Sequence, residues 1–342
     1  MLWLLACTGR PTVAVVGAGP AGLAAAIEAA ASAQVTLYEG EGQVGGSLRY
    51  ANAITTFHLP GVQPAPARYR EQVDAMVVQW TTGLGASWSP APGATSDQPL
   101  MWPNGGGHAL VGALERAARD AGVDIRLNTR VEELPSADAV IVATGGIMGD
   151  VQAFRDWAGL DPELELLRGA PEHADGNGLL LLEQAARHAP KWLVYPHGTP
   201  GPHGVAKMVL GAEGMATDDG TLLQGPRGDQ GNAWALAPKA RSVTVTGPHV
   251  ALLDWENQRV TPVKKGATLD LVPTTAKQLS GVQTDLAGRV LDASGEPIPG
   301  LYAAGELTGF HDAYAEHIED STMVAGAILT GRVAAQTALA DR

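Results

Sequence analysis

A glycine turn with the spacing of a phosphate-binding loop lies near the start of the chain. The β-branched run Thr12-Val-Ala-Val-Val16 precedes Gly17, Gly19 and Gly22, and an Ala-rich stretch over 23–31 follows them, which predicts a strand, a turn and a helix. In such a unit the first glycine permits the tight turn, the second lets the backbone approach a pyrophosphate, and the third allows close helix packing. The helix N-terminus offers its free N–H groups to the phosphates. We therefore predict a dinucleotide site whose first contacts are Gly17, Ala18, Gly19, Pro20, Ala21 and Gly22.

A carboxylate and a second pair of glycines follow this unit. The apolar run Gln34–Tyr38 ends in Glu39, about 20 residues beyond the turn, where an acidic side chain can bind ribose hydroxyls. The turn and the carboxylate alone do not distinguish FAD from NAD. The segment Gly45-Gly46-Ser47 resembles the part of two-dinucleotide-binding-domain flavoproteins that runs along the FAD pyrophosphate and ribityl chain. We therefore predict FAD as the cofactor and count Gly40, directly after the carboxylate, among its contacts.

Further elements complete the predicted nucleotide-binding unit. An amphipathic helix runs from Gly105 to a glycine stop at Gly122. The strand predicted over 123–131 would present the backbone of Val131 to adenine. The later apolar strand that begins at Ala139-Val-Ile-Val142 then enters a second glycine turn, which reads Ala143-Thr144-Gly145-Gly146.

In their order and composition these blocks resemble the fumarate reductase and succinate dehydrogenase flavoprotein family, which also contains aspartate oxidases, 3-ketosteroid dehydrogenases and urocanate reductases. The resemblance includes Gly305-Glu306 near the C-terminus and covers about half of the chain. It implies that this pair holds the ribityl chain, and that a helix beginning with Ser321-Thr322-Met323 points its N-terminus at the flavin pyrimidine ring. A helix N-terminus there stabilises the negative charge of reduced flavin near N1 and O2.

The resemblance also implies an α/β fold with two domains. A Rossmann-like FAD-binding domain, a parallel sheet with a β-meander, is expected from residues 11–148 and 274–342. A small α+β capping domain over the substrate is expected from 149–273, and an extension from 1–10. The capping region is shorter than in the dicarboxylate-reducing members, which predicts a reduced lid.

Two departures from the family concern the substrate. Ala276 stands where dicarboxylate reductases have a histidine, and His317 falls near their arginine, in an acidic loop over 311–320. A site for two carboxylates needs fork-like guanidinium donors. We therefore expect a small organic substrate that is not a dicarboxylate.

The same loop supplies the candidates for proton transfer. His311, Tyr314 and His317 are the predicted catalytic residues, because a flavin reaction couples hydride movement at N5 to proton movement. The alternative for each is a hydrogen-bonded structural position in the loop. Lys277 and Arg227 are weaker candidates.

The predicted function is that of an FAD-dependent oxidoreductase, either a dehydrogenase or a reductase, with an electron donor or acceptor that the sequence does not identify. The alternative is a non-catalytic or electron-transfer flavin-binding protein with a degenerate active site. Among eight Trp residues, Trp80, Trp88 and Trp102 precede the Gly105 helix. We expect most of them to be packing residues, and any that faced the substrate would favour an apolar or ring-bearing molecule.

Composition excludes several other classes of protein. A formal net charge of -13 over 342 residues argues against a nucleic-acid or anionic-membrane surface. The chain has one cysteine, so a disulfide reductase is disfavoured, and no His or carboxylate spacing predicts a metal site. Leu48-Arg49-Tyr50 stands where some relatives carry a covalent-flavin histidine, so we predict non-covalent FAD.

The first seven residues leave the cellular location open. Met1-Leu-Trp-Leu-Leu-Ala-Cys7 resembles the end of a lipoprotein signal but lacks a positive n-region. The body of the chain has no run of about 20 apolar residues, so no transmembrane segment is predicted. We expect a cytoplasmic protein, or a cell-envelope lipoprotein anchored at Cys7 if translation starts upstream of Met1.

Overall fold

The structure, a computed structural model, gives an α/β fold. It describes residues 9–50, 54–55, 74–90, 100–164, 166–200, 206–210, 214–217, 222–223, 243–246, 251–254, 259–264, 268–269, 272–312 and 322–342. The strands are β1 Thr12–Val16, β2 Gln34–Tyr38, β3 Ile54–Thr55, β4 Trp88–Pro90, β5 Leu100–Pro103, β6 Asp124–Arg126, β7 Ala139–Val142, β8 Trp192–Pro200, β9 Ala206–Leu210, β10 Gly214–Thr217, β11 Leu222–Leu223, β12 Val243–Thr246, β13 Ala251–Asp254, β14 Arg259–Pro262, β15 Thr268–Leu269, β16 Val272–Gln278, β17 Arg289–Leu291 and β18 Pro297–Ala303. The α-helices are α1 Pro20–Ala30, α2 Trp80–Gly83, α3 Gly106–Asp120, α4 Val151–Ala158, α5 Asn177–Leu181 and α6 Thr322–Ala340. Short 3-10 helices span Gly46–Tyr50 and Gly305–Asp312, and a π-helical segment spans Asp74–Gln79.

A six-stranded sheet in the order β17-β18-β7-β1-β2-β6 forms the centre of the fold. Strand β1 pairs in parallel with β2 and with β7. The pairs β2–β6 and β7–β18 are also parallel. The strands predicted at 12–16, 34–38 and 139–142 are confirmed. Successive side chains of β1 face opposite sides, so that Val13 and Val15 join one apolar core and Ala14 and Val16 the other.

Helices α1, α3 and α6 cover the first core. Gly331 of α6 allows a close approach to α1, because a Cβ atom there would lie 2.1 Å from the carbonyl oxygen of Ala21. The second core contains Phe154 from α4 and Leu179 from α5. With both faces covered, the sheet is buried as parallel sheets generally are.

Helix α6 also has the length and apolarity of a membrane span, and within the described part of the chain it is alone in this. Of the window Met323–Ala340, however, 61% is buried inside the protein. This burial is typical of the core helix of a folded domain.

The residues from β8 to β16 are mainly antiparallel. They form a five-stranded sheet, β14-β13-β9-β8-β16, and a four-stranded sheet, β11-β10-β12-β15. A three-stranded sheet, β3-β5-β4, lies earlier in the chain. The predicted domain boundaries, 11–148 with 274–342 and 149–273, stay a prediction, as does the reduced lid.

One predicted element is shorter than expected. The strand predicted over 123–131 ends at Arg126, because Asn128 adopts a left-handed conformation with φ of 51°. The N–H groups of Asn128 and Thr129 then donate to the carbonyl oxygens of Glu41 and Glu39. Val131 therefore lies in a loop that is tied to the end of β2.

Candidate cofactor-binding site

A cavity of about 460 Å³ runs along the carboxyl ends of β1, β2, β7 and β18. Open parallel sheets bind ligands at this edge, because the turns between strands and helices meet there. Most of the predicted cofactor contacts line the cavity: Gly17, Gly19, Pro20, Ala21, Glu39, Gly40, Gly46, Ser47, Val131, Ala143, Thr144, Gly145, Gly305, Glu306 and Met323. The sequence prediction and the cavity therefore coincide, while the role of each residue stays a prediction.

The other predicted contacts are not among the residues that line the cavity. Ala18, Gly22 and Gly45 belong to the two turns next to it. Thr322 is the first residue of α6, and its side chain is outside the described part of the chain. Ser321 lies outside the described residues.

The glycines of the first turn serve two purposes, close packing at two positions and open space at the third. A Cβ atom at Gly22 would lie 1.7 Å from the carbonyl oxygen of Gly17, and one at Gly17 would lie 2.6 Å from the carbonyl oxygen of Ala143. A Cβ atom at Gly19, the N-cap of α1, would meet no protein atom within 4 Å, and Gly19 lines the cavity. Gly17 and Gly22 are thus required by packing, whereas Gly19 leaves open space in front of the helix N-terminus.

Glu39 lies at the end of β2 with its carboxylate fixed by the backbone. One carboxylate oxygen accepts a hydrogen bond from the N–H of Ala18 at 2.8 Å, and the other accepts from the N–H of Glu41 at 2.9 Å. The side chain is 9% exposed. Each oxygen has a second acceptor position, so the carboxylate can also accept ribose hydroxyls.

The Gly45-Gly46 pair joins the first turn. The N–H of Gly45 donates to the carbonyl oxygen of Ala18 at 2.7 Å, and both glycines have positive φ, 112° and 48°. Arg49 is buried behind this pair, and its guanidinium lies 5.9 Å from the ring centroid of Tyr50. The two glycine turns therefore form one continuous wall of the cavity.

Gly305 and Glu306 form the opposite end of the cavity. Gly305 has φ of 76°, and its N–H donates to the hydroxyl of Thr330 in α6 at 2.9 Å. The Glu306 carboxylate accepts from the N–H of Gln278 at 2.8 Å. Burial raises the pKa of Glu306 to about 7, although the Gln278 hydrogen bond and the charge of Lys277 act in the opposite direction. This carboxyl group can change its protonation near neutral pH.

Buried polar atoms without a partner test whether a polar cofactor fits this cavity. Among the described residues they include the Thr144 hydroxyl, His173 Nε2 and Gln278 Nε2. Thr144 and His173 line the cavity. Such atoms cost about 1–3 kcal/mol each when they stay unpaired. A dinucleotide offers oxygen and nitrogen partners to Thr144 and His173, and its phosphates suit the α1 N-terminus. The residues present therefore fit FAD.

Sequence reasoning missed several residues around the cavity. Arg130 pairs with Asp175 at 2.6 Å, and the Asn177 side chain donates to the carbonyl oxygen of Val131 at 3.3 Å. Asp175 and Asn177 lie in the segment Ala174-Asp-Gly-Asn-Gly178, and its resemblance to the family segment after the second glycine turn was the available signal. Gln278 had no such signal, although its side-chain oxygen accepts from the N–H of Ile147 beside the second glycine turn.

The predicted catalytic residues lie mostly beyond the described part of the chain. His311 belongs to the 3-10 segment Gly305–Asp312, but its side chain is not described, and Tyr314, His317 and Arg227 lie outside the described residues. Lys277 lines the cavity. The described residues contain no group of three or more His, Cys, Asp or Glu that could hold a metal ion.

The tryptophans of the segment before α3 do not line the cavity. Trp80 lies 4.5 Å from the guanidinium of Arg332, measured to the ring centroid, and Trp88 donates to the Thr81 hydroxyl at 3.2 Å. Both pack against the first core. Trp102 is 41% exposed. Packing therefore accounts for Trp80 and Trp88.

Comparison with known proteins identifies the class of site. Residues 12–92 and 249–317 match the family model of an FAD binding domain. A KsdD-like steroid dehydrogenase of Mycobacterium tuberculosis is 44% identical over 69 residues, which are 20% of this chain and 12% of that relative. The match therefore spans only about an eighth of the length of the curated relative.

Solved structures share the fold over almost the whole chain. A 3-ketosteroid delta1-dehydrogenase from Sterolibacterium denitrificans has a TM-score of 0.72 at 14% identity, covering 97% of this chain and 100% of that chain. The open conformation of a flavocytochrome c3 fumarate reductase has a TM-score of 0.68 at 19% identity, covering 98% and 79%. A 3-ketosteroid-delta4-(5alpha)-dehydrogenase from Rhodococcus jostii has a TM-score of 0.61 at 18% identity, covering 98% of each chain.

The fold, the cavity and these matches define the class of protein together. The chain contains an FAD-binding domain with the α/β fold of fumarate reductases and 3-ketosteroid dehydrogenases. Its cofactor is FAD. The resemblance inferred from the sequence is confirmed.

Proposed function

We propose that this protein is an FAD-dependent oxidoreductase that transfers hydride between flavin N5 and a small organic substrate other than a dicarboxylate. One observation carries the proposal: a single cavity is lined by Glu39, by both glycine turns and by Gly305-Glu306. These groups match the ribose, the pyrophosphate and the ribityl chain in that order. The electron donor or acceptor is a further small molecule or protein.

The roles of the cavity residues follow from their contacts. The Glu39 carboxylate, fixed by two backbone hydrogen bonds, would accept ribose hydroxyls, and the free N–H groups at the start of α1 would face the pyrophosphate. Glu306 and Met323, in the first turn of α6, line the cavity where we propose the flavin, and the bound cofactor would supply hydride transfer there. Because the pKa of Glu306 lies near 7, this residue can hold or release a proton beside the ribityl chain.

The substrate class that we propose is an apolar, ring-bearing molecule. Ala276 replaces the histidine of the dicarboxylate reductases, which removes one donor for a diacid. The curated relative is named as a steroid dehydrogenase, and two of the similar structures are 3-ketosteroid dehydrogenases. His311, Tyr314 and His317 stay the proposed proton-transfer residues.

An anaerobic titration of the purified protein tests the function. We expect a flavin absorbance band that is bleached or reoxidised by steroids, and not by amino acids or unsaturated diacids. Bleaching by fumarate-type substrates would contradict the substrate class. A flavin band that is inert to all three would favour the non-catalytic flavin-binding alternative, and a protein without flavin would overturn the proposal.

Two further properties belong to the same proposal. We propose that FAD is held non-covalently, so that acid precipitation releases the yellow colour into the supernatant. For location we propose the cytoplasm, with a lipid anchor at Cys7 as the alternative. Labelling of cells with a radioactive fatty acid would distinguish the two, because only the anchored form incorporates label.

A further inference from the structure

The loop that carries His173 is fixed in place between the second glycine turn and the cavity. The N–H of Gly149 donates to the carbonyl oxygen of Ala174 at 2.7 Å, and the N–H of Gly176 donates to the carbonyl oxygen of Gly146 at 3.1 Å. A Cβ atom at Gly149 would lie 2.0 Å from the carbonyl oxygen of Pro171, so the two segments are in close backbone contact. The position of His173 is therefore set by the backbone.

The His173 ring faces the glycine wall of the cavity. His173 lines the cavity, and its Nε2 atom is buried without a hydrogen-bond partner. A Cβ atom added to Gly46 would lie 3.9 Å from this Nε2 and 3.3 Å from the Cα atom of Gly19. The nitrogen thus lies next to the meeting point of the two glycine turns, in front of the α1 N-terminus.

We propose that His173 is a cofactor-binding residue whose Nε2–H donates a hydrogen bond to a pyrophosphate oxygen of FAD. The inference rests on the proposed function and extends it, because neither the glycine motifs nor Glu39 predicts a side-chain donor at this point. Backbone N–H groups of α1 would contact the pyrophosphate from one side. His173 would supply a donor from the loop over 169–178.

The charges around His173 make this contact sensitive to pH. Burial, followed by the charge of Arg49, lowers the pKa of His173. Three carboxylates act in the opposite direction: Glu39, Glu41 and Asp175, the last of which is paired with Arg130. A bound pyrophosphate would add negative charge and so raise the pKa of His173 above its value in the apoprotein. Binding of FAD therefore takes up a proton, and the affinity for FAD increases as the pH falls.

Phosphorus NMR of the protein with bound FAD tests the proposal without any variant. The pyrophosphate itself does not titrate near neutral pH, so its resonances change there only if a neighbouring group does. We expect at least one of the two phosphorus resonances to shift between about pH 5 and 9, the range over which histidines in folded proteins generally titrate. Resonances that stay constant over this range in the unmodified protein would overturn the inference.

Two variants test whether His173 causes the pH-dependent shift of the phosphorus resonances. In His173→Gln an uncharged donor remains in the same region, so we expect FAD affinity to stay within about threefold while the pH dependence of the phosphorus resonance is lost. In His173→Ala we expect FAD to bind about tenfold more weakly, measured by flavin fluorescence. His108→Ala is the matched control, because His108 is exposed on α3 and does not line the cavity.

The outcomes distinguish this inference from the proposed function. If both His173 variants bind FAD like the His108→Ala control and keep its phosphorus spectrum, the pyrophosphate contact is wrong while the flavoprotein function stands. If the unmodified protein binds no FAD, the proposed function itself fails. Thermal unfolding of each variant shows whether a loss of affinity reflects a loss of folding.

Discussion

The two ends of the cavity hold the same type of side chain in different surroundings. At the proposed adenosine end, both carboxylate oxygens of Glu39 accept backbone hydrogen bonds. At the proposed flavin end, Glu306 accepts a hydrogen bond from Gln278, and burial raises its pKa to about 7. The comparison indicates that Glu39 is a fixed acceptor, whereas the carboxyl group of Glu306 can change its protonation near neutral pH.

Substitution within the first glycine turn should have the largest effect and separates folding from cofactor binding. Gly22→Ala places a methyl group 1.7 Å from the carbonyl oxygen of Gly17, so α1 must move away from β1. We expect Gly22→Ala to lower the unfolding midpoint strongly and to abolish FAD binding. Gly19→Ala meets no protein atom within 4 Å and should fold normally but bind FAD weakly. Equal unfolding midpoints for the two variants would contradict this distinction.

Substitution of Glu39, the fixed acceptor, should have the next largest effect on FAD binding. Glu39→Gln replaces one carboxylate oxygen by an NH₂ group, which must then face the N–H of either Ala18 or Glu41. We expect FAD to bind about 100-fold more weakly, because a charge-assisted acceptor is lost and a backbone donor is left unpaired. The matched control is Glu41→Gln, since Glu41 uses its backbone rather than its side chain in this contact. A change of similar size in both variants, measured by flavin fluorescence, would show that net charge matters more than the Glu39 geometry.

The smallest effect that we expect is a dependence of the free energy of unfolding on pH that comes from Glu306. In the folded apoprotein the pKa of Glu306 lies near 7, above its value in an unfolded chain, so protonation favours the folded state. Stability should therefore fall as the pH rises from about 4.5 to 7. We expect a loss of about 2 kcal/mol at most, because part of the Glu306 surface faces the cavity, where solvent in the apoprotein screens its charge. In Glu306→Gln this loss should be absent. Urea unfolding of both apoproteins at pH 5 and pH 8 measures it, and identical pH dependence would argue that the carboxyl group is ionised throughout.

Local patterns were sufficient to predict the elements of the nucleotide-binding unit. The β-branched run before Gly17 and the apolar run before Glu39 form strands with the predicted bounds, because short apolar runs between turns fit a parallel sheet covered on both faces. The strand predicted up to Val131 was too long. Its residues alternate suitably, but contacts of Asn128 and Thr129 with the loop after β2 override that local preference.

The sequence by itself thus predicted the FAD-binding class and most of the residues that line the cavity along one edge of the sheet, since glycine spacing and a following carboxylate act over a few residues. Only the tertiary structure decided which distant groups complete the cavity. Gln278 reaches Ile147 across 131 residues, and His173 faces Gly46 from a separate loop. Such contacts depend on how the whole chain packs, and a single polar residue in a loop carries no periodic signal that could predict them.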